Sequence, residues 1–148
     1  MAKTYQAADI YRLYYDSASS WGSPTWVQVE AFSDVTVDPA RGDIEIPEQN
    51  ADTGHLQGNG DPVISFTLYE DTGDSSVTAM ITNLLAGTIT HIAIAAGDIT
   101  TNGTIYWHME ACLFAPNGLS RGEPSMWEVE AKRHANSDNT LTRATISV

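Results

Sequence analysis

The hydrophobic period of this chain changes from two to about 3.6 and back to two between residues 62 and 96. Residues 63–69 alternate, which places Ile64, Phe66 and Leu68 on one face of a predicted strand. Residues 88–95 again have strand composition. Between them, apolar residues recur at helical spacing and form one stripe: Val77, Met80, Ile81, Leu84 and Leu85. The sequence therefore predicts one helix between two strands, covering a face or an end of a sheet.

The predicted helix has suitable residues at both ends. Asp74 or Ser75 can accept a hydrogen bond from a free amide of the first turn. Gly87 can adopt the positive φ that commonly follows a helix. We therefore expect the helix to span residues 75–86.

The remainder of the chain is predicted to be strand or loop. The longest strand, residues 104–114, puts Ile105, Trp107 and Met109 on one face. The other predicted strands are residues 8–15, 25–30, 34–38, 42–47, 127–132 and 141–148. Eight or nine strands with one helix indicate a mainly β fold, an antiparallel β-sandwich or barrel of about eight strands with one flanking α-helix.

Length and composition predict a single soluble domain, residues 1–148. An apolar fraction of 42% suffices for one core. The single cysteine, Cys112, excludes an internal disulfide and favours a reducing compartment. The N-terminus lacks the regions of a signal peptide, and no apolar run approaches membrane-spanning length, so no membrane association is expected.

The chain is strongly acidic, with 19 acidic and 7 basic residues and a formal net charge of −12. Residues 1–74 hold 13 acids and 3 bases, whereas residues 75–148 hold 6 and 4. Adhesion to nucleic acid is disfavoured because it needs clusters of lysine and arginine. Solubility alone is an equally simple explanation of the charge.

Residues 48–61 predict a long surface loop, with glycine at positions 54, 58 and 60 and only Leu56 as a large apolar residue. Loops of this length are usually functional or disordered. Contact with something outside the subunit and a tolerated insertion are both open.

No sequence motif indicates an enzyme, a metal or a cofactor. His108 and Glu110 match the His-x-Glu of zinc deaminases, but the cysteine pair of that motif is absent, so a same-face polar pair on a strand is expected. The four histidines lack metal-ligand spacing. Acid pairs two residues apart on strands are more simply a solvated face than a glycosidase site.

From about Trp26 to Val148, the order of elements resembles that of the tail tube proteins of long-tailed bacteriophages. The resemblance lies in the paired early strands of residues 26–37 and 41–46, the Gly-rich segment 48–61, and the strand–helix–strand of residues 64–95. The first twenty or so residues are covered less clearly.

The resemblance implies a structural virion protein and not an enzyme. Members form a β-sandwich with a flanking helix, assemble into hexameric rings, and stack into a tube through which the genome leaves the capsid. Expected partners are further copies of the chain and other tail proteins such as the tape measure and the terminator, while DNA passes without specific binding. The expected location is the virion tail, assembled in the cytoplasm of the bacterial host.

Two sets of residues follow from the resemblance. The long loop of the family reaches the neighbouring ring, which gives ring-stacking roles to Gln49, Asp52, His55, Leu56, Gln57, Asn59 and Asp61. An acidic wall would repel DNA, and four acids alternate with core residues on predicted strands, so we expect them to face the lumen: Asp43, Glu45, Glu128 and Glu130.

Other classes stay open. Tubes of contractile tails and of type VI secretion have related folds. A β-sandwich binding module, for carbohydrate or protein, would need exposed aromatics around a concave face, and the candidates are Trp21, Trp26, Tyr106 and Trp127. A small enzyme would need a pocket with convergent ionisable groups.

Overall fold

The fold is known from a computed structural model, which describes residues 11–39, 43–47, 53–57, 61–71, 73–122, 125–135 and 138–147. These residues form strands and one α-helix, in this order: β1 (Tyr11–Asp16), β2 (Trp26–Val29), β3 (Phe32–Asp38), β4 (Asp43–Pro47), β5 (Thr53–Gln57), β6 (Val63–Tyr69), α1 (Ser75–Ala86), β7 (Thr90–Ala96), β8 (Ile105–Phe114), β9 (Leu119–Ser120), β10 (Met126–Arg133) and β11 (Thr142–Thr145). The predicted fold class, mainly β with one flanking helix, is confirmed.

Nine strands form one antiparallel sheet in the order β2-β1-β7-β8-β10-β6-β3, with β11 paired to β8 and β9 to β10. The two ends of this path, β2 and β3, are separated in the chain only by residues 30 and 31. Because so short a connection joins opposite ends, the sheet must curl until its margins approach each other. The backbone N–H of Tyr69 donates to the carbonyl of Ala31 at 3.0 Å and fixes this corner.

The concave face of the curled sheet carries the main core. Leu13, Ile92, Met109 and Val129 are buried there, and so are the alternating apolar residues of β6. The face predicted for β6 is confirmed, because Ile64, Phe66 and Leu68 are all buried in this cluster. On β8 the prediction holds for Met109, whereas Ile105 and Trp107 are only half-buried and are not part of the cluster.

Helix α1 lies on the same core and begins and ends where the sequence predicts. The side chain of Asp74 accepts hydrogen bonds from the backbone N–H groups of Ser76 and Val77, and Gly87 adopts φ 69° as the C-cap. Val77 and Met80 are completely buried, whereas Leu85 is 71% exposed. The prediction that Leu85 packs against the sheet was wrong, because this position lies at the margin of the apolar stripe, where the helix surface turns away from the sheet.

The segment predicted as a loop at residues 48–61 contains a strand. Residues 53–57 form β5, which pairs with β4 in a separate two-stranded antiparallel sheet, with Glu45 opposite His55. The prediction of a continuous loop was therefore wrong. A strand with a glycine and one large apolar residue has no visible period of its own, and its pairing with β4 is what defines it.

Strand β3 carries a bulge opposite Phe66. The pairing with β6 shifts between Ser33 and Thr36, and Asp34 adopts φ 56° at this point. A left-handed conformation is unusual for a residue with a side chain, and a bulge is where it is tolerated. In the described ranges, no helix has the length and apolar character needed to cross a membrane.

Candidate functional site

Strand β7 is buried on both faces, which is where the structure departs most from a simple sandwich. Ile92 and Ile94 face the main core, whereas Ala93 and Ala95 face a second cluster with Tyr14 and Ile99. The second face also holds His91, which is 1% exposed. A buried polar ring must find hydrogen-bond partners, so the surroundings of His91 are the first place to look for a site.

Asp16, at the end of β1, is the anchor of this site. Its Oδ2 lies 3.1 Å from Nδ1 of His91, across 75 residues of sequence. Its two oxygens also accept three backbone N–H groups of the following loop: Ala18 at 2.9 Å, Ser20 at 2.7 Å and Thr25 at 2.8 Å. One buried carboxylate therefore organises the loop formed by residues 17–25, which we call the cover loop.

The register of the sheet explains why these side chains meet. Tyr15 pairs with Ile92, so Asp16 and His91 are cross-strand neighbours on the same face. His91 pairs with Glu110 and Ala93 with His108, so His108 is a diagonal neighbour of His91.

Nε2 of His91 lies 2.9 Å from Nδ1 of His108. An ionised Asp16 can only accept, so Nδ1 of His91 carries the proton that is donated to it. Nε2 of a neutral His91 then accepts, and Nδ1 of His108 must donate. The hydrogen-bond pattern thus assigns both tautomers, and we call the three side chains the Asp–His–His chain.

Aromatic rings pack around the two histidines. Trp21 of the cover loop stacks on His108, with ring centroids 4.0 Å apart and planes 13° apart, and on His91 at 4.7 Å. Trp26 meets the ring of His91 edge-on at 4.5 Å, and Tyr106 lies 4.9 Å from His108. Three of the four aromatic residues predicted as a possible binding platform, Trp21, Trp26 and Tyr106, therefore pack around the two histidines. The fourth, Trp127, lies elsewhere and donates its indole N–H to Glu70 at 2.8 Å.

Burial and hydrogen bonding set the charge states of the Asp–His–His chain. Burial and, to a smaller extent, the neighbouring His91 together lower the pKa of His108 to about 4. Burial also lowers the pKa of His91, although the hydrogen bond and the charge of Asp16 oppose this. Burial would raise the pKa of Asp16, but the donors from Thr25, His91, Ala18 and Ser20 outweigh it and lower that pKa. At neutral pH the carboxylate is ionised and both rings are neutral.

The Asp–His–His chain has ring nitrogens that can take up a proton, but its geometry is not that of a catalytic triad. Nε2 of His91, the atom that faces the nucleophile in a catalytic triad, is occupied by His108. Over the described ranges, no group of three or more histidine, cysteine, aspartate or glutamate side chains is placed to hold a metal ion.

A separate apolar cavity of about 760 Å³ opens beside the bulge of β3. Its walls include Tyr11 and Trp107, whose ring centroids are 6.0 Å apart, and Val35, Ile94 and Leu141. It lies on the concave side of the sheet and shares no lining residue with the Asp–His–His chain.

The acids proposed for a lumen lie in two different sheets. Glu128 and Glu130 are on β10, on the face opposite the buried Val129, whereas Asp43 and Glu45 are on β4, where only the backbone is described. Glu128 is exposed and accepts a hydrogen bond from Asn117 at 2.7 Å, and Glu130 lies 3.8 Å from Lys132. Asp34 lines the same shallow polar surface as these two glutamates.

Only some of the residues proposed for ring stacking lie in the described part of the chain. His55, Leu56 and Gln57 belong to β5, and Asp61 is exposed just before β6. Gln49, Asp52 and Asn59 lie outside the described residues.

Sequence reasoning missed the Asp–His–His chain. It ended the first strand at residue 15, before Asp16, and paired His108 with Glu110, whereas the structure pairs His108 with His91. One signal was present, since residues 88–95 contain no charged side chain and such a strand is usually covered on both faces. A histidine inside it should have suggested a buried partner.

No protein-family model matches the chain, and no match to a curated protein was found.

Proposed function

We propose that this chain is a tail tube subunit that assembles into rings, which stack into an acidic conduit for a phage genome. The observation that supports this most directly is the curled sheet, whose two margins are each hydrogen-bonded on one side only within the described part of the chain. An unpaired strand edge is a template for pairing with another chain. A subunit with two such margins is suited to ring formation.

The edge at β2 can be resolved to single residues. The backbone N–H of Ser17 donates to the carbonyl of Thr25 at 3.0 Å, so this is a hydrogen-bonded position of the β1–β2 ladder. Bonded and non-bonded positions alternate in an antiparallel pair. Gln28, opposite Tyr14, is therefore a non-bonded position, and its N–H and C=O point away from β1. Its side chain is exposed.

The charge supports a conduit and not a DNA-binding surface. The formal charge of −12 per subunit would be multiplied in a ring. Glu128, Glu130 and Asp34 share one polar surface on the outer side of the curled sheet. A wall of this kind repels phosphate, so cargo can pass without adhering.

Assembly is the direct test. Purified protein is examined by sedimentation velocity and negative-stain microscopy over a rising concentration series. Rings or tubes are the expected result. A monomer that persists at every concentration would contradict the proposal and favour a monomeric β-sandwich binding module, the alternative class.

A variant at the β2 edge tests the mode of assembly. Gln28→Pro removes an outward N–H without removing a bond to β1, and proline is tolerated at such edge positions. Gln28→Ala is the matched control, because it removes the side chain and keeps the N–H. Loss of rings with Gln28→Pro and their retention with Gln28→Ala is expected. Equal assembly of the two variants would show that β2 is not a subunit edge.

Ring assembly alone does not separate a long-tailed phage tube from the tube of a contractile or type VI system. Co-assembly with a sheath protein would favour the contractile or type VI system.

A further inference from the structure

The carboxylate of Asp16 accepts three of the hydrogen bonds that hold the cover loop, and the backbone N–H of Ser17 adds one to the carbonyl of Thr25 at 3.0 Å. Asp16 accepts the N–H of Ala18 near the start of the loop and that of Thr25 at its end. Trp21, at the middle of the loop, lies on the two histidine rings. The loop itself contains no ionisable side chain. Its position therefore depends on the Asp–His–His chain.

The loop leads directly into the edge strand of the sheet. Thr25 is followed by Trp26, the first residue of β2, which pairs with β1 alone. Trp26 also contacts the ring of His91. Whatever loosens the cover loop thus loosens one margin of the sheet.

The geometry of the two rings accommodates one added proton but not two. When the pair holds one extra proton, His91 can donate from both nitrogens, to Asp16 and to Nδ1 of His108, if the proton that His108 carried on Nδ1 is held on its Nε2 instead. A second proton would set N–H against N–H across a 2.9 Å separation and place two cations with ring centroids 5.2 Å apart. The pair must then separate, because neither the hydrogen bond nor the charge can be accommodated.

The other polar groups around the pair define its electrostatics. From β1 these are Asp16 and the hydroxyl of Tyr14, which accepts the N–H of Ile99. From β8 they are Tyr106 and Glu110, whose charge favours protonation of His91. Neighbouring segments contribute Thr142 from β11, Asn139, which donates to Glu110 at 3.0 Å, and the backbone of His134, which donates to the carbonyl of Glu110. The carboxylates of Asp16 and Glu110 favour binding of the first proton by the histidine pair. These groups include no third anion that would offset the charge of a second proton.

We propose that the Asp–His–His chain is an acid-operated latch: double protonation of His91 and His108 releases the cover loop with Trp21 and loosens strand β2 at the margin of the sheet. The latch is closed at neutral pH. The latch is a property of one subunit and does not depend on tube formation.

The wild-type protein gives the first test. Histidine ring nitrogens are followed by NMR from pH 7 to pH 3, and acrylamide quenching of tryptophan fluorescence is measured in parallel at a dilution where sedimentation shows one species. At pH 7 we expect His91 and His108 both protonated at Nδ1 only. Quenching should rise at the pH where the second of the two rings titrates. A rise that is not accompanied by this titration, or the opposite tautomer at His91, would overturn the latch.

A variant separates the latch from general acid unfolding. His108→Gln retains a donor for Nε2 of His91 but cannot be protonated, so the cover loop should stay closed until Asp16 itself is protonated. His134→Gln is the matched control, because it also replaces one histidine with glutamine but at a position that is not part of the Asp–His–His chain. The midpoint of the quenching curve is expected at lower pH in His108→Gln than in His134→Gln or wild type. Equal midpoints would refute the proposal, and if His108→Gln does not fold, the coincidence test in the wild type decides alone.

Discussion

Oδ2 of Asp74 accepts the backbone N–H of Ala31 at 3.1 Å, across 43 residues of sequence. The same carboxylate caps α1 through Ser76 and Val77. One side chain thus joins the start of the helix to the corner where the two margins of the sheet approach. Burial would raise the pKa of Asp74, but the hydroxyl of Ser76 and the N–H groups of Ala31, Ser76 and Val77 outweigh it, and the pKa is lowered.

The two roles of Asp74 can be separated by substitution. Asp74→Ala should lower the free energy of unfolding by about 2 to 3 kcal/mol, because a lost N-cap costs about 1 kcal/mol and the corner loses its acceptor as well. Asp74→Ser keeps a capping oxygen but does not reach Ala31, so its loss should be intermediate. Urea unfolding at pH 7 measures both variants. A wild-type value for Asp74→Ser would show that the contact with Ala31 contributes nothing.

The helix stripe gives a second prediction. Met80 is completely buried, so Met80→Ala should lower the free energy of unfolding by about 2 to 5 kcal/mol through lost burial and a residual cavity. Leu85→Ala, on the same helix and of similar size change, should cost no more than about 0.5 kcal/mol because the side chain is mostly exposed. Thermal or urea unfolding compares the two directly, and equal losses would mean that Leu85 is covered in solution.

The sequence predicted the helix and the inward faces of the long strands because these depend on local spacing. The stripe of Val77 and Met80 and the alternation of Ile64 and Phe66 are visible without any knowledge of what they pack against. The order of strands is not visible in this way. No local pattern shows that β2 and β3, adjacent in the chain, lie at opposite ends of one sheet.

The candidate site could not be predicted for the same reason. Asp16 and His91 meet only because Tyr15 pairs with Ile92, and a register shift of one residue would place them on opposite faces. Strand β5 was missed because Thr53, Gly54 and Gln57 carry no hydrophobic period. In both cases the determining interaction is with a strand distant in sequence.

Stability should depend on pH through His108. The pKa of His108 is about 4 in the folded chain and ordinarily 6.5, so the unfolded chain binds the proton first as the pH falls. The contribution is therefore fully present above pH 6.5 and is lost as the pH falls toward 4, by up to about 3 kcal/mol at 1.36 kcal/mol for each pKa unit.

Urea unfolding at pH 7 and pH 4.5 measures this dependence. The loss between the two values should be smaller in His108→Gln than in wild type, while His134→Gln should behave as wild type. A loss in His108→Gln as large as in wild type would assign the dependence to other groups.

The acidic surface of β10 gives the last prediction, which rests on the proposed function. Glu128 and Glu130 lie on the outer side of the sheet, and if that side faces the lumen they repel passing DNA. The double variant Glu128→Lys with Glu130→Lys should therefore make assembled tubes retain duplex DNA, where wild-type tubes do not. Co-sedimentation of tubes with labelled DNA measures retention, and retention should decrease as salt is raised because phosphate contacts are screened.

Glu30→Lys is the control, since Glu30 is exposed at the β2–β3 corner and away from β10. Genome ejection from particles built with the double variant should be slower than with the control. DNA retention by the double variant that is no greater than retention by the control would place Glu128 and Glu130 outside the lumen.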